Sequence, residues 1–341
     1  MKLLVAGGAG FIGSNFIRYW FKNYPNDQVL NLDILTYAGN LSSLSDIKTK
    51  HAKNYQFVKG DIVDFDLVDK AVKKFCPDAI VNFAAESHNS WAVINPTIFF
   101  KTNVMGTQNL LEVVRQNKVP RFHHISTCEV YGDLPLDSNQ KFTESSPLRP
   151  RTPYNASKAG SDLAVRCYFE TYQLPVTTSN CSNNYGPYQL TEKLIPLFVT
   201  NLLDNQPVPI YKSSQNRREW LHVLDHCRAI DLILRKGKIG ETYNVGSGVE
   251  KSVEEITDFI LKELGKPVSM KKYVEDRPGH DRRYLLDSSK IKQELGWESE
   301  IDFKEGLRQT IQWYRKNCSW WKPLKKKQAL SETDWAKQRK E

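Results

Sequence analysis

Long apolar stretches are missing from this chain: no run of eighteen apolar residues occurs in its 341 positions, which argues against a membrane-spanning helix. Cysteine is sparse. The six residues Cys76, Cys128, Cys167, Cys181, Cys227 and Cys318 are scattered, with no CxxC pair and no His/Cys cluster. That spacing excludes a disulfide framework and a zinc site; it fits reduced thiols in a cytosol, so a cytoplasmic location without a metal is expected. The opening Met1-Lys2-Leu3-Leu4-Val5 has no small-residue cleavage site behind it and meets glycines at once, so it reads as a buried strand rather than a signal peptide. There is no internal repeat. A net charge of +9 comes without any nucleic-acid motif, and much of it sits at Lys322, Lys325, Lys326, Lys327, Lys337, Arg339 and Lys340. A solvated basic tail over residues 322–341 accounts for it without a polyanion partner.

At 40% hydrophobic, a chain of this length can bury a full core in one large or two modest domains. Residues 2–6 read as a strand, followed by Gly7-Gly8-Ala9-Gly10-Phe11-Ile12-Gly13 and an amphipathic helix through residue 24. Glycines at 7, 10 and 13 allow a tight turn, close approach of backbone to a pyrophosphate, and close packing of helix on strand; Phe11 and Ile12 then open a helix whose N-terminus faces the phosphates. A second strand ends in Asp33, where a carboxylate accepts from both ribose hydroxyls and repels a 2′-phosphate. The expected cofactor is NAD, with NADP the less favoured alternative.

The alternation continues with a strand over 56–59 ending in Gly60-Asp61, a helix over 63–75, an apolar strand over 79–85, a long helix over 96–116 and a strand over 121–126. Asp61 and Ile62 are candidates for the adenine edge, and Ala84 and Ala85 are small enough to let backbone lie near the pyrophosphate. The class is α/β: a Rossmann-type doubly wound parallel sheet over residues 1–180, to which later segments return, and a smaller C-terminal α/β substrate lobe over 181–321. Ligands in such a sheet bind beyond the carboxyl ends of the strands, where Thr127, Cys128 and Glu129 fall.

Thr152 reads as a helix N-cap and Pro153 as the first helical residue, which sets Tyr154 and Lys158 one turn apart on one face. An ammonium beside a phenol lowers its pKa, and such a tyrosine takes a proton from a sugar hydroxyl while a nicotinamide takes the hydride.

With the glycine loop, Asp33 and the Thr127/Tyr154/Lys158 set, the chain resembles an extended short-chain dehydrogenase/reductase acting on a nucleotide sugar. More narrowly, it resembles the dTDP-glucose 4,6-dehydratase family up to about Trp321. The stretches that carry this are Leu35-Thr36-Tyr37-Ala38-Gly39-Asn40-Leu41, Ala84-Ala85-Glu86-Ser87-His88, Asn180-Cys181-Ser182-Asn183-Asn184-Tyr185-Gly186-Pro187-Tyr188, Glu192-Lys193-Leu194-Ile195-Pro196-Leu197 and Arg277-Pro278-Gly279-His280-Asp281-Arg282-Arg283-Tyr284. The resemblance implies a cycle in which Tyr154, beside Lys158 and with Thr127 positioning the hydroxyl, oxidises the sugar at C4. Glu129 then removes the C5 proton, water leaves from C6, and the hydride is returned. It also implies His88 among the substrate contacts, and a homodimer joined by a four-helix seam of the helices at Pro96 and Tyr154.

Two stretches depart from that pattern. The family has an aspartic acid before the glutamate, and this chain has Cys128, a weaker and larger proton donor. After His88 the family usually continues Val-Asp-Arg-Ser-Ile, where this chain reads Asn89-Ser90-Trp91-Ala92-Val93. A Cys-Glu pair resembles the branch that makes UDP-N-acetylglucosamine 5,6-enes in tunicamycin and some pseudaminic-acid pathways, so a 5,6-dehydratase is the expected activity. The alternatives are a plain 4,6-dehydratase, a 4-epimerase or decarboxylase, and a non-catalytic dinucleotide-sensing protein.

In the second half, Asn183 or Asn184 in a turn-rich loop is a candidate for the diphosphate or sugar, and the helix opening at Glu192-Lys193-Leu194 offers backbone N–H groups to an anion. Arg218 and Arg277 are candidate diphosphate clamps. Asn244 and Tyr284 resemble further nucleotide contacts. Helices are expected over 253–264, 288–295 and 303–317, closing a smaller lobe over the site.

Overall fold

The computed structural model describes residues 1–276 and 278–327. Its strands are β1 (Lys2–Ala6), β2 (Gln28–Asp33), β3 (Tyr55–Lys59), β4 (Ala79–Asn82), β5 (Phe122–Thr127), β6 (Val176–Cys181), β7 (Asn183–Tyr185), β8 (Val208–Tyr211), β9 (Arg217–His222), β10 (Thr242–Val245), β11 (Glu250–Ser252) and β12 (Lys271–Val274). Seven of them form one parallel sheet in the order β10-β6-β5-β4-β1-β2-β3. The chain order reverses between β1 and β4, which opens a crevice at the carboxyl ends of the strands.

Both faces of the sheet are covered, which is why its strands read as nearly unbroken apolar runs. On one side the helices Phe11–Asn23 and Val223–Lys236 contribute Phe16, Ile17, Trp20, Val223, Cys227, Ile230 and Leu234. On the other, Val68, Val72, Leu110, Leu111, Val114 and Val165 come from the helices Phe65–Phe75, Gly106–Asn117 and Pro153–Tyr172. β10 pairs with β6 and forms the edge of this sheet.

That second half builds its own core from Phe198, Trp220, Ile256, Leu307, Tyr314 and Trp321. The expected helices appear as Val253–Glu263, Ser289–Leu295 and Phe303–Lys316. Their starts are chemically defined: Ser252 and Glu255 form a reciprocal capping box, and Asp302 accepts from the Glu305 N–H at 3.0 Å.

Three segments differ from the sequence reading. The strand expected over 79–85 stops at Asn82, whose Oδ1 accepts from the Ala84 N–H at 3.1 Å and turns the chain. The helix expected over 96–116 is interrupted by a π-helical segment, Phe100–Met105. Asn103 within it accepts from the Glu86 N–H (2.9 Å) and donates to the Glu86 carbonyl (3.0 Å) and Ser157 Oγ (2.8 Å), fastening the loop after β4 to the helix that carries Tyr154. The helical pattern also runs past Trp321: the helix Cys318–Lys327 is held by Trp321 Nε1 on the Tyr314 carbonyl (2.8 Å) and by Lys325 on Asp204 (2.8 Å). Residues 328–341 of the expected tail lie outside the described residues. Among those described, no helix is long and apolar enough to cross a membrane.

Candidate active site

At the carboxyl end of the sheet a cavity of about 370 Å³ runs between the two halves of the chain. Its floor is the glycine loop. Gly7 has φ +78°, and a Cβ there would stand 2.5 Å from the Ala84 nitrogen; a Cβ on Gly13 would strike the Gly7 carbonyl oxygen. The loop is therefore a cradle that side chains would fill, with Gly7, Gly10, Phe11, Ile12 and Gly13 all lining the cavity at the start of a thirteen-residue helix. Asp33 ends β2 beside it and pins the loop, accepting from the Ala9 N–H (2.9 Å) and the Leu35 N–H (2.8 Å). Burial raises the Asp33 pKa, and these two donations oppose the rise. Ala85 lines the cavity and Ala84 sits under Gly7. Asp61 instead accepts from the Val63 N–H (3.0 Å), and Ile62 packs against Gly106; neither lines this cavity.

Thr152 caps the helix Pro153–Tyr172 through the Asn155 N–H, as the sequence predicts, and Tyr154 and Lys158 both face the cavity with Thr127 and Glu129. Thr127 ends β5; its Oγ1 caps the short helix Cys128–Tyr131 by accepting from the Glu129 N–H at 3.3 Å, and it also hydrogen-bonds Tyr154. The Lys158 ammonium departs from expectation. It donates to the Ile125 carbonyl at 2.7 Å, with His124 Nε2 at 3.4 Å, and burial lowers its pKa to about 8 while Asp162 resists the fall. Burial dominates Tyr154 too, raising its phenol well above the ordinary value, with Glu129, Cys181 and Cys128 adding and the Thr127 hydroxyl opposing. The strongest influence lowering that phenol is thus a hydroxyl, not the expected ammonium.

Sequence reasoning missed the polar layer beneath these groups. Asn82 Nδ2 lies 3.3 Å from His124 Nδ1, His124 Nε2 lies 3.1 Å from Ser161 Oγ, and Asp162 accepts from Ser126 Oγ at 2.7 Å. Burial and Lys158 push His124 down to about 4, which keeps it neutral. Histidine at 124 carried no motif; only its place in a buried strand beside Lys158 gives it meaning.

Cys128 adjoins Thr127 and Glu129 in sequence but is fully buried, packed with Val130, Tyr131, Tyr284 and Leu285, and does not line the cavity. Burial, then Glu129, hold its thiol well above the usual range, so it stays protonated. Trp91, where the family pattern has arginine, lies parallel to Tyr37 with ring centroids 6.2 Å apart.

Across the cavity stand His88, Asn183, Glu192, Lys193, Leu194, Arg218 and Tyr284. His88 Nε2 is 3.9 Å from Glu192, and Lys193 donates to the Ser87 carbonyl at 2.8 Å just before the helix Leu194–Leu203. Arg218 donates to the carbonyls of Asp281 (2.6 Å), Arg217 (2.8 Å) and Arg282 (3.2 Å), and its guanidinium lies 4.5 Å over the Tyr284 ring. Tyr284 donates to Asp281 at 2.6 Å. Asn244 is not brought to the cavity: its Oδ1 accepts from Tyr131 (2.9 Å) and its Nδ2 donates to the Phe142 carbonyl (3.0 Å) in the core behind. Arg277 lies outside the described residues. Four buried polar atoms on the cavity wall, Ser90 Oγ, Ser182 Oγ, Asn183 Oδ1 and Gln189 Oε1, have no hydrogen-bond partner among the described residues, so the wall offers polar groups to a ligand.

A glycine cradle at the switch point of a parallel sheet, with tyrosine and lysine one turn apart beside it, defines an extended short-chain dehydrogenase/reductase. The chain belongs to the GDP-mannose 4,6 dehydratase family, whose model matches residues 4–310. It is 49% identical over 329 residues to a dTDP-glucose 4,6-dehydratase of Streptomyces niveus, covering 95% of this chain and 96% of that one. A second dTDP-glucose 4,6-dehydratase, from Mycobacterium tuberculosis, is 48% identical over 326 residues, with 95% and 96% covered. Among solved structures, the dTDP-glucose 4,6-dehydratase of Streptomyces venezuelae with NAD bound superposes with a TM-score of 0.91 at 48% identity, covering 95% of this chain and 100% of the other. The UDP-glucose 4-epimerase of Thermotoga maritima gives 0.86 at 27% identity, covering 93% and 100%.

Proposed function

We propose that this chain is a NAD-dependent nucleotide-sugar 4,6-dehydratase, with dTDP-glucose as substrate and a dTDP-4-keto-6-deoxy sugar as product. The observation that carries this reading is that Glu129 and Tyr154 face one cavity beside the glycine cradle. An epimerase requires the tyrosine but has no use for the carboxylate. The length and identity of the match to dTDP-glucose 4,6-dehydratases support the base and the sugar.

NAD, when bound on the glycine cradle, supplies a hydride acceptor and later a hydride donor. The chain's own residues do the rest. Thr127 and Tyr154 hold the C4 hydroxyl, and Tyr154 takes its proton as C4 becomes a ketone. The ketone acidifies the C5 proton, which Glu129 removes, and water departs from C6. Arg218 and the helix start at Leu194 hold the diphosphate. Pairing of two copies through the helices at Pro96 and Pro153 belongs to the same proposal; it is supported by Phe100, Met105, Leu163 and Tyr172, which are exposed there by 44%, 54%, 56% and 51%.

A second reading rests on Cys128. A thiol in place of the family's carboxylic acid is the feature of the 5,6-ene branch, in which the hydride returns to C4 and an exocyclic alkene remains. Incubation with dTDP-glucose and UDP-N-acetylglucosamine side by side, with product mass and NMR of C6, separates the two. A C6 methyl beside a C4 ketone is the expected result, and an exocyclic methylene signal from either substrate would overturn it in favour of the 5,6-dehydratase.

A further inference from the structure

We propose that Asn89 is a positioning residue for Glu129, acting as the last link of a one-directional hydrogen-bond chain that begins at the cap of the Tyr154 helix. The proposal rests on the reading above, in which Glu129 takes the C5 proton.

Asn89 is the first residue of the short helix Asn89–Ile94, which His88 caps by accepting from the Trp91 N–H at 3.1 Å. Its Nδ2 donates to Glu129 Oε2 at 3.1 Å, and its Oδ1 accepts from Thr152 Oγ1 at 3.0 Å. Thr152 Oγ1 in turn accepts from the Asn155 N–H at 3.2 Å. Donor and acceptor roles follow from chemistry. A main-chain N–H only donates, so the Thr152 hydroxyl hydrogen is free for Asn89; a carbonyl oxygen only accepts, so the Asn89 NH₂ faces the carboxylate. Every donation points toward Glu129, and each polarises the next.

Among the described residues this is the one side-chain hydrogen bond to the Glu129 carboxylate. The Glu129 charge is also felt by Tyr154, Cys128, Cys181 in β6, and Asp281 and Tyr284 from the segment beyond β12. Arg218 is turned to the backbone carbonyls at 281 and 282. Donation from Asn89 fixes the carboxylate relative to Tyr154, because both hang from Thr152. Valine, which the family pattern has here, offers no such donor.

The test uses full-length Asn89→Leu and the isosteric Asn89→Asp, each with its melting temperature taken as a check on folding. Turnover of dTDP-glucose is followed in single cycles, with C5 proton removal read by deuterium exchange. Loss of the donor is expected to slow C5 deuterium exchange about tenfold. C4 oxidation, read by nicotinamide absorbance, should change by less than about threefold, since Tyr154 keeps its own partner. Asn89→Asp replaces the donor with a like charge against Glu129 and should slow exchange further with oxidation again spared; should the leucine variant not fold, this variant decides alone. Unchanged exchange, or oxidation and exchange falling in parallel, overturns the positioning role. A wild-type protein that oxidises dTDP-glucose but never exchanges C5 or releases water overturns the dehydratase reading instead.

Discussion

Replacing Lys158 with methionine should abolish turnover and yet make the folded protein more stable at neutral pH. The ammonium is fully enclosed, and burial takes its pKa from 10.5 to about 8. That difference corresponds to about 3 kcal/mol against the charged form in the folded state. Methionine removes the charge at similar length but leaves the Ile125 carbonyl without the 2.7 Å donation it now receives, a loss of about 1–2 kcal/mol. The net gain expected below pH 8 is about 1–2 kcal/mol, readable as a shift in urea midpoint. Its pH dependence is diagnostic. Between about pH 8 and 10.5 the unfolded chain binds more protons at this site than the folded one, so wild-type stability from this group rises with pH across that window. The advantage of Lys158→Met should therefore be full below pH 8 and shrink as pH climbs through the window. A variant less stable than wild type at pH 7, or an advantage that stays constant to pH 10, would refute the claim that a strained buried ammonium sits beneath the tyrosine.

Gly13→Ala should lower NAD affinity at least tenfold and cost about 1–3 kcal/mol of stability, because its Cβ meets the Gly7 carbonyl oxygen with no room to yield; isothermal titration with NAD checks it, and an unchanged affinity counts against the glycine cradle. Glu219, fully buried on β9, accepts from the N–H groups of Gly248 (2.6 Å) and Leu286 (3.0 Å), and burial raises its pKa from 4.5 to about 7. The folded state then binds more protons than the unfolded one between these values, so this group's contribution to stability falls as pH rises from 4.5 to 7. Glu219→Gln should lose that slope and gain on wild type by up to about 3 kcal/mol across the window, and urea midpoints that run parallel for the two proteins would show the shift to be absent.

What was legible in the sequence is what depends on short spacing. The strand–glycine–helix unit and the Thr152-Pro153-Tyr154 start of a helix each encode their geometry within a few residues, and both formed as read. The amphipathic helices of the second lobe were recovered to within a residue or so at their ends, because their caps at Ser252 and Asp302 are local chemistry. What was not legible depends on partners far along the chain. The π-helical turn at Phe100–Met105 contains no proline and no glycine of its own; it coincides with Asn103 bridging Glu86 and Ser157, residues on two other elements. Helical spacing sets Lys158 beside the phenol, yet spacing says nothing about the Ile125 carbonyl in the neighbouring strand.

The stretch from Asn89 to Val93 shows how the same limit applies to function. Read as sequence, it was only a departure from a family pattern, a loss of an acid, a base and a hydroxyl. In the fold its first residue stands between Thr152 and Glu129, two residues separated by 23 positions from one another and by at least 40 from Asn89. Cys128 runs the other way: adjacent in sequence to Glu129, it reads as part of the chemistry, but the short helix Cys128–Tyr131 turns its thiol into an apolar cluster while Glu129 faces the cavity. On a one-turn helix consecutive side chains diverge by roughly a third of a circle, so neighbours in sequence are seldom neighbours at a site. Differences in activity among chains that share the Tyr154 and Lys158 pair are therefore better sought in what touches Glu129 through space than in what flanks it.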